Sequence, residues 1–201
     1  SAAAIGLGLV AGATAGGHVL GAEELLTLGA RLESHIDNLA AVLSGGVCIA
    51  WREGSPRVRR IADDMPAVAI AVIPSQRTST AASRTALPET LAHAEAATSA
   101  GAAMLLGAAI AAGDAALLRH AFRDRLHEPF RAGGAPLLDR VKRLVPDALG
   151  VTLSGSGPTV IAWADSADSD RLATHLATEL GTTATVLPIA VAREGAAAQV
   201  H

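Results

Sequence analysis

The chain has no tyrosine, a single cysteine and a single lysine, and aromatic side chains make up only 2% of its 201 residues. Each shortage excludes something. With two Trp and two Phe, the interior has to be built from Ala, Val, Leu and Ile, and a 50% hydrophobic content supplies enough of them. The lone Cys48 permits no internal disulfide and fits a reducing compartment or the absence of any redox role. Lysine-based covalent chemistry would rest on Lys142 alone, inside the charged run Arg140-Val141-Lys142-Arg143. No basic tract occurs and the net charge is -3, which speaks against nucleic acid as a partner. No Gly-Lys-Ser/Thr occurs, so there is no Walker loop.

Two apolar stretches invite a membrane reading and are better explained otherwise. Ser1 to Ala22 carries Gly12-x-x-x-Gly16 and no charged side chain apart from His18. Its apolar content is largely Ala and Gly, which insert weakly, and a positive leader region is missing, so a closely packed buried helix is expected. Ala102 to Ala112 is similar and, taken alone, too short to span a bilayer. A cytoplasmic protein without a membrane partner is the expectation.

Helix, strand and turn signals alternate along the chain. Helices are expected over Ser1–Val19, broken at Gly16-Gly17, over Glu23–Glu33, and over Asn38–Leu43, N-capped by Asp37 and stopped by Gly45-Gly46. Val47–Trp51 and Arg57–Ile61 read as strands around the turn Glu53–Pro56. The acidic break Ala62-Asp63-Asp64-Met65-Pro66 is the candidate domain boundary, giving domains 1–64 and 65–201. Beyond it, Ala67–Ile73 is a continuous apolar run, hence a buried strand. Helices are expected from Pro88 to Ala112, from the Asp114 cap to about Arg125, over Pro136–Leu144 and over Ser169–Leu180. Strands are expected over Val151–Leu153, Val160–Trp163, Thr185–Val191 and Ala197–Val200. The pattern is α+β.

Four segments could carry chemistry. In Glu33-Ser34-His35-Ile36-Asp37-Asn38, five of six side chains are polar although apolar runs lie on both sides. The segment is either a helix cap with a satisfied histidine or a site, since polar groups between buried faces need partners. Ser79-Thr80-Ala81-Ala82-Ser83-Arg84 places a hydroxyl and a guanidinium four residues apart, on one helical face. That pair suits a bound carboxylate or phosphate, though taken alone the segment reads better as a capped surface helix. Asp124-Arg125-Leu126-His127-Glu128-Pro129-Phe130-Arg131 reads by default as a solvated helix end, and the spacing of His120, His127 and Glu128 matches no zinc pattern. Thr152–Thr159 runs from a strand through Ser154-Gly155-Ser156-Gly157 into another strand, either a plain tight turn or a loop facing phosphate.

Order and spacing together say more than any one segment. Glu33–Asn38 with the trailing Leu43-Ser44-Gly45-Gly46, Thr80 through Arg84, Asp124–Arg131 and Thr152–Thr159 follow one another as in the GHMP kinase superfamily, and the chain resembles, within it, the homoserine kinases. The resemblance implies a two-domain fold with a ribosomal-S5-like N-terminal domain and a ferredoxin-like C-terminal domain. It implies transfer of the ATP γ-phosphoryl group to L-homoserine with Mg²⁺, as in threonine biosynthesis. By the same resemblance, Asp37, Asn38 and Thr80 serve catalysis. His35, Asn38, Arg84 and Arg131 bind the amino acid. Ser1, Ala2 and the turn Ser154, Gly155, Ser156, Gly157 face the nucleotide, and Ser1 with Glu33 holds the metal. Ser34 and Ile36 stand where the family carries Gly and Pro. The chain opens on Ser1-Ala2-Ala3-Ala4, similar to the tail of the family's phosphate loop. The expectation is therefore a piece lacking the loop's glycines and the first strands, impaired as an enzyme and poorly soluble or oligomeric alone. A homodimer is compatible with the resemblance. Another small-molecule kinase of the superfamily, acting on mevalonate or shikimate, or a non-catalytic amino-acid-binding or partner-binding unit, are the alternatives.

Overall fold

A computed structural model of the chain describes residues 2–75, 87–131, 133 and 135–199. Ser1, Thr80 and Arg84 lie outside the described residues. The chain forms two compact units, Ser1–Met65 with Val191–His201, and Pro66–Ala190.

In the first unit, three helices pack on a hairpin: α1 (Ala2–Ala15), α2 (Ala22–Gly29), α3 (Ile36–Ser44), β1 (Val47–Glu53) and β2 (Ser55–Ala62). Leu25, Leu26, Leu39 and Leu43 form its centre, each no more than 1% exposed. Small residues let the helices approach, as the aromatic-poor composition requires. A Cβ on Gly6 would fall 2.6 Å from the Val42 side chain, and one on Gly29 would fall 2.3 Å from that of Leu39. The strands pair antiparallel about Gly54 alone, a tighter turn than expected, with that glycine at φ +70. The last segment, from Val191, returns to this unit. The Gly46 N–H donates to the Ala192 carbonyl at 2.7 Å, and a Cβ on Gly45 would stand 2.5 Å from the backbone of Glu194. The Gly45-Gly46 pair therefore stops α3 and also leaves room for another piece of backbone. Where a strand was expected over Ala197–Val200, Ala196–Gln199 is a 3₁₀ turn. Ala197 packs on the core of the first unit, and alanine has little intrinsic preference for a strand.

The second unit contains β3 (Val68–Pro74), α4 (His93–Ala112), α5 (Ala115–Leu118), α6 (Glu128–Arg131), α7 (Pro136–Leu144), β4 (Gly150–Leu153), β5 (Val160–Ala164), α8 (Ser169–Leu180) and β6 (Ala184–Ile189). Its antiparallel sheet has the order β4-β5-β3-β6, so the first strand lies between the third and the fourth, as in ferredoxin-like domains. β3 is apolar throughout because both faces are covered. Ile70 and Val72 join a core with Leu138, Val141, Leu172 and Leu176, while Ala69 and Ala71 face Ile161 and Trp163. Phe122 stacks on Trp163 with ring centroids 5.7 Å apart.

Other features differ from the sequence reading. α4 begins at His93, after an extended Ala92, and not at Pro88. Asp114 caps α5 by accepting from the Leu117 N–H at 2.9 Å, but that helix ends at Leu118 and does not reach Arg125. Ala121 must then turn into the interior and Phe122 onto Trp163, which ends the helix. Asp37 is not the N-cap of α3. His35 holds the cap position and Asp37 sits in the first turn. Finally, the 20 residues of α4 are long and apolar enough by composition to cross a bilayer, so length excludes nothing there. Ala102, Ala109 and Ile110 on that helix are buried within the protein.

Candidate active site

The polar segment of the first unit lies in the link between α2 and α3. Ile36 and Leu39 anchor the start of α3 in the core, so Asp37 and Asn38 are carried outward on the same turn. The side chains of this segment organise one another. The Glu33 carboxylate accepts from the His35 N–H at 3.3 Å and lies 3.5 Å from His35 Nδ1. Ser34 Oγ is 3.0 Å from the same ring nitrogen. Asp37 Oδ1 accepts from the Asn38 N–H at 2.8 Å, at a helix start whose dipole favours an anion. From outside the segment, Arg52 Nη2 donates to the Ser34 carbonyl at 3.3 Å. Glu33 is the sheltered member, its side chain 20% exposed against 58% for His35. Behind the hairpin start, Cys48 Sγ donates to the Gly45 carbonyl at 3.1 Å, and burial pushes its thiol pKa up despite Ser44 and Arg60 nearby.

In the second unit, Asp124 organises its own segment. Its Oδ1 accepts from the Leu126 and His127 N–H groups at 2.6 and 3.1 Å, and its Oδ2 from the Glu128 N–H at 3.2 Å. His127 Nε2 lies 2.8 Å from that second oxygen, and the other ring nitrogen, Nδ1, is buried with no hydrogen-bond partner among the described residues. These bonds open the one-turn helix α6. Glu128 is buried, not solvated as a plain helix end would be. Its Oε1 accepts from the Leu153 N–H at 2.7 Å and its Oε2 meets Lys142 Nζ at 3.3 Å. Arg131, at the end of α6, donates from Nη1 to the Gly155 carbonyl at 3.4 Å, and its Nε is buried without a partner among the described residues.

The fold thus brings together Asp124–Arg131 and Ser154–Gly157. The turn is partly closed on itself. Ser154 N–H donates to the Thr159 carbonyl at 2.8 Å and Gly157 N–H to the Ser154 carbonyl at 3.0 Å. Two of its amides are therefore spent internally, and it is not an anion nest of four free donors. Gly155 and Gly157 hold φ values of +57 and +77, a conformation that suits glycine. The Glu128 contacts were not legible beforehand, because its partners stand 25 and 14 residues away.

Residues 103–181 match the family described as GHMP kinases C terminal. The chain is similar to the homoserine kinase of Streptomyces coelicolor, 36% identical over 96% of the chain and 67% of that protein. It belongs to the homoserine kinase family. The homoserine kinase of Streptomyces avermitilis is 39% identical over 86% of the chain. The chain covers 58% of that relative's length. Among solved structures, a homoserine kinase from Cytophaga hutchinsonii shares the fold, with a TM-score of 0.78 at 24% identity over 88% of the chain and 60% of that structure.

Family membership puts a magnesium nucleotide among the groups to test against these residues. Among the described residues no group of three or more His, Cys, Asp or Glu side chains is placed to hold a metal ion. A single sheltered carboxylate, Glu33, still fits Mg²⁺, which takes one or two protein carboxylates and completes its shell with water and phosphate oxygens. Of the nucleotide-side residues, Ala2 opens α1, whose first turn carries no acidic side chain.

Proposed function

We propose that this chain serves the ATP-dependent phosphorylation of L-homoserine, with O-phospho-L-homoserine and ADP as products. The observation that carries the reading is Arg131. A guanidinium anchored by Nη1 to the Gly155 carbonyl, on a half-buried side chain, is held in place to offer its other hydrogens to an anion. The carboxylate of an amino acid satisfies such a donor, and guanidinium–carboxylate pairs are strong and directional.

Each group then has a role. The homoserine hydroxyl oxygen attacks the γ-phosphorus, the bond to the β–γ bridging oxygen breaks, and ADP leaves while the hydroxyl proton is released. Little covalent work falls to the protein, so positioning and charge compensation dominate. Arg131, together with Arg84, would bind the substrate carboxylate. Asn38 and His35 would contact the amino acid, and Asp37 would take its ammonium or orient its hydroxyl. Asp37 is exposed and at a helix start, which suits an ion-pairing carboxylate. Thr80 would touch the transferred group. The N-terminus of α1, at Ser1 and Ala2, would face phosphate oxygens, as helix N-termini do. The turn Ser154–Gly157 would complete the nucleotide side, with Gly155 also seating Arg131. Mg²⁺, held by Glu33 and Ser1, would neutralise phosphate charge when bound.

The test is product analysis. Incubation with Mg·ATP and L-homoserine, followed by ³¹P NMR, should show a phosphomonoester that co-resonates with O-phospho-L-homoserine. Turnover of R-mevalonate or shikimate with homoserine untouched would replace this substrate by another.

A further inference from the structure

Among the described residues Glu128 is the one charged side chain in the interior, and the role proposed above gives it nothing to do. Buried carboxylates are costly unless fully paired. Both Glu128 carboxylate oxygens are paired, one with the Leu153 N–H and the other with Lys142, and its backbone N–H donates to Asp124. β4 is an edge strand, next to β5 only, so the bond to Leu153 occupies an edge amide that would otherwise lack a strand partner. It also ties α6 to the last residue of β4, directly before the Ser154–Gly157 turn.

Arg131 stands one helical turn beyond Glu128, on the same face of α6. Gly155, which accepts from Arg131, stands two residues beyond Leu153. Glu128–Leu153 and Arg131–Gly155 are therefore two successive rungs between the same helix and the same strand-to-turn segment. The first is short and buried, and the second is longer, at 3.4 Å, and reaches the surface. Lys142 adds a third support from α7.

We infer that Glu128 is a positioning residue for Arg131: by locking α6 to the end of β4, it fixes the guanidinium in the orientation that a substrate carboxylate meets. The inference rests on the anion-binding role of Arg131 proposed above, and one of its readouts needs no ligand.

The ligand-free readout is the Arg131 Nε–H resonance in ¹H–¹⁵N NMR, followed with amide exchange at Leu153. Glu128→Gln keeps an acceptor for Leu153 and should leave both signals near wild type. Glu128→Asp keeps the charge but withdraws the carboxylate by one methylene. It should speed exchange at Leu153 at least tenfold and move the Arg131 resonance toward that of free arginine. Glu128→Ala should do the same more strongly; if it does not fold, the Asp and Gln pair decides. An Arg131 resonance unmoved in Glu128→Asp while Leu153 exchanges fast would overturn the inference, since the two rungs would then be independent. In kinetics, Glu128→Asp should raise KM for homoserine about tenfold with KM for Mg·ATP unchanged, and Glu128→Gln should recover most of the loss. Equal rises in both KM values would mark a merely structural residue and also overturn it. If the NMR signals move as expected but homoserine neither binds nor reacts with wild type, the positioning of Arg131 stands and the substrate assignment falls.

Discussion

The two polar segments of this chain, Glu33–Asn38 and Asp124–Arg131, are built in opposite ways. Among the described residues, the first shows side-chain contacts between residues one or two apart and one guanidinium from the hairpin. The second is pinned to distant elements through the buried Glu128 carboxylate and through Arg131, whose Nη1 reaches the Gly155 carbonyl near the surface. Side chains of the first kind lose rotamer freedom when a ligand arrives, whereas those of the second have already lost it during folding. The comparison teaches where to expect specificity. The rigid Arg131 segment should discriminate by shape and charge, and the exposed Asp37 and Asn38 should adapt.

The largest effect that can sharpen this contrast lies beneath the adaptable segment. Leu39 is fully buried under the first turn of α3, so Leu39→Ala should cost about 2–5 kcal/mol, read from denaturant unfolding. A cost under about 1 kcal/mol would mean that α3 is not anchored as described. Next comes Arg131→Ala, expected to weaken homoserine binding by about 2–4 kcal/mol, on the order of 30- to 1,000-fold, with the affinity for Mg·ATP little changed. Equal losses for both ligands would break the division of labour.

The adaptable segment should behave otherwise. Asp37→Asn and Asn38→Ala alter exposed positions on the same helix turn, so stability should stay within about 0.5 kcal/mol while homoserine turnover falls. Stability losses as large as that of Leu39→Ala would show that these side chains hold the fold. The smallest effect concerns Cys48. Burial raises its thiol pKa, so the neutral form is favoured in the folded chain. Alkylation by iodoacetamide near neutral pH should be slower than for the unfolded chain. The stability contributed by the neutral thiol should fade as pH climbs through the thiol range. Alkylation at the unfolded rate would contradict the burial assigned to it.

Much of this was legible in the sequence, and the exceptions have a common cause. Pro136–Leu144 and Ser169–Leu180 carry strong local signals, a proline at the first position in one and a period of Leu172, Leu176 and Leu180 in the other, and both have the expected bounds. The apolar run at 67–73 gave β3 because burial on both faces erases alternation. The helix expected up to Arg125 ended early because Ala121 and Phe122 answer to the sheet, not to local propensity. The residues of the Asp124–Arg131 site could be listed from their types and order. Its mechanics could not, since the contacts of Glu128 and Arg131 with β4 and the following turn span 24 and 25 residues.

The most direct test of a preset carboxylate grip is calorimetric titration of wild type and Arg131→Ala with L-homoserine and with 3-aminopropan-1-ol. The second ligand keeps the hydroxyl and the ammonium but lacks the carboxylate. Wild type should prefer homoserine by at least the 30-fold scale of one well-placed guanidinium, and Arg131→Ala should bind the two alike. Equal affinity of wild type for both ligands, or a preference that survives the loss of Arg131, would contradict the account.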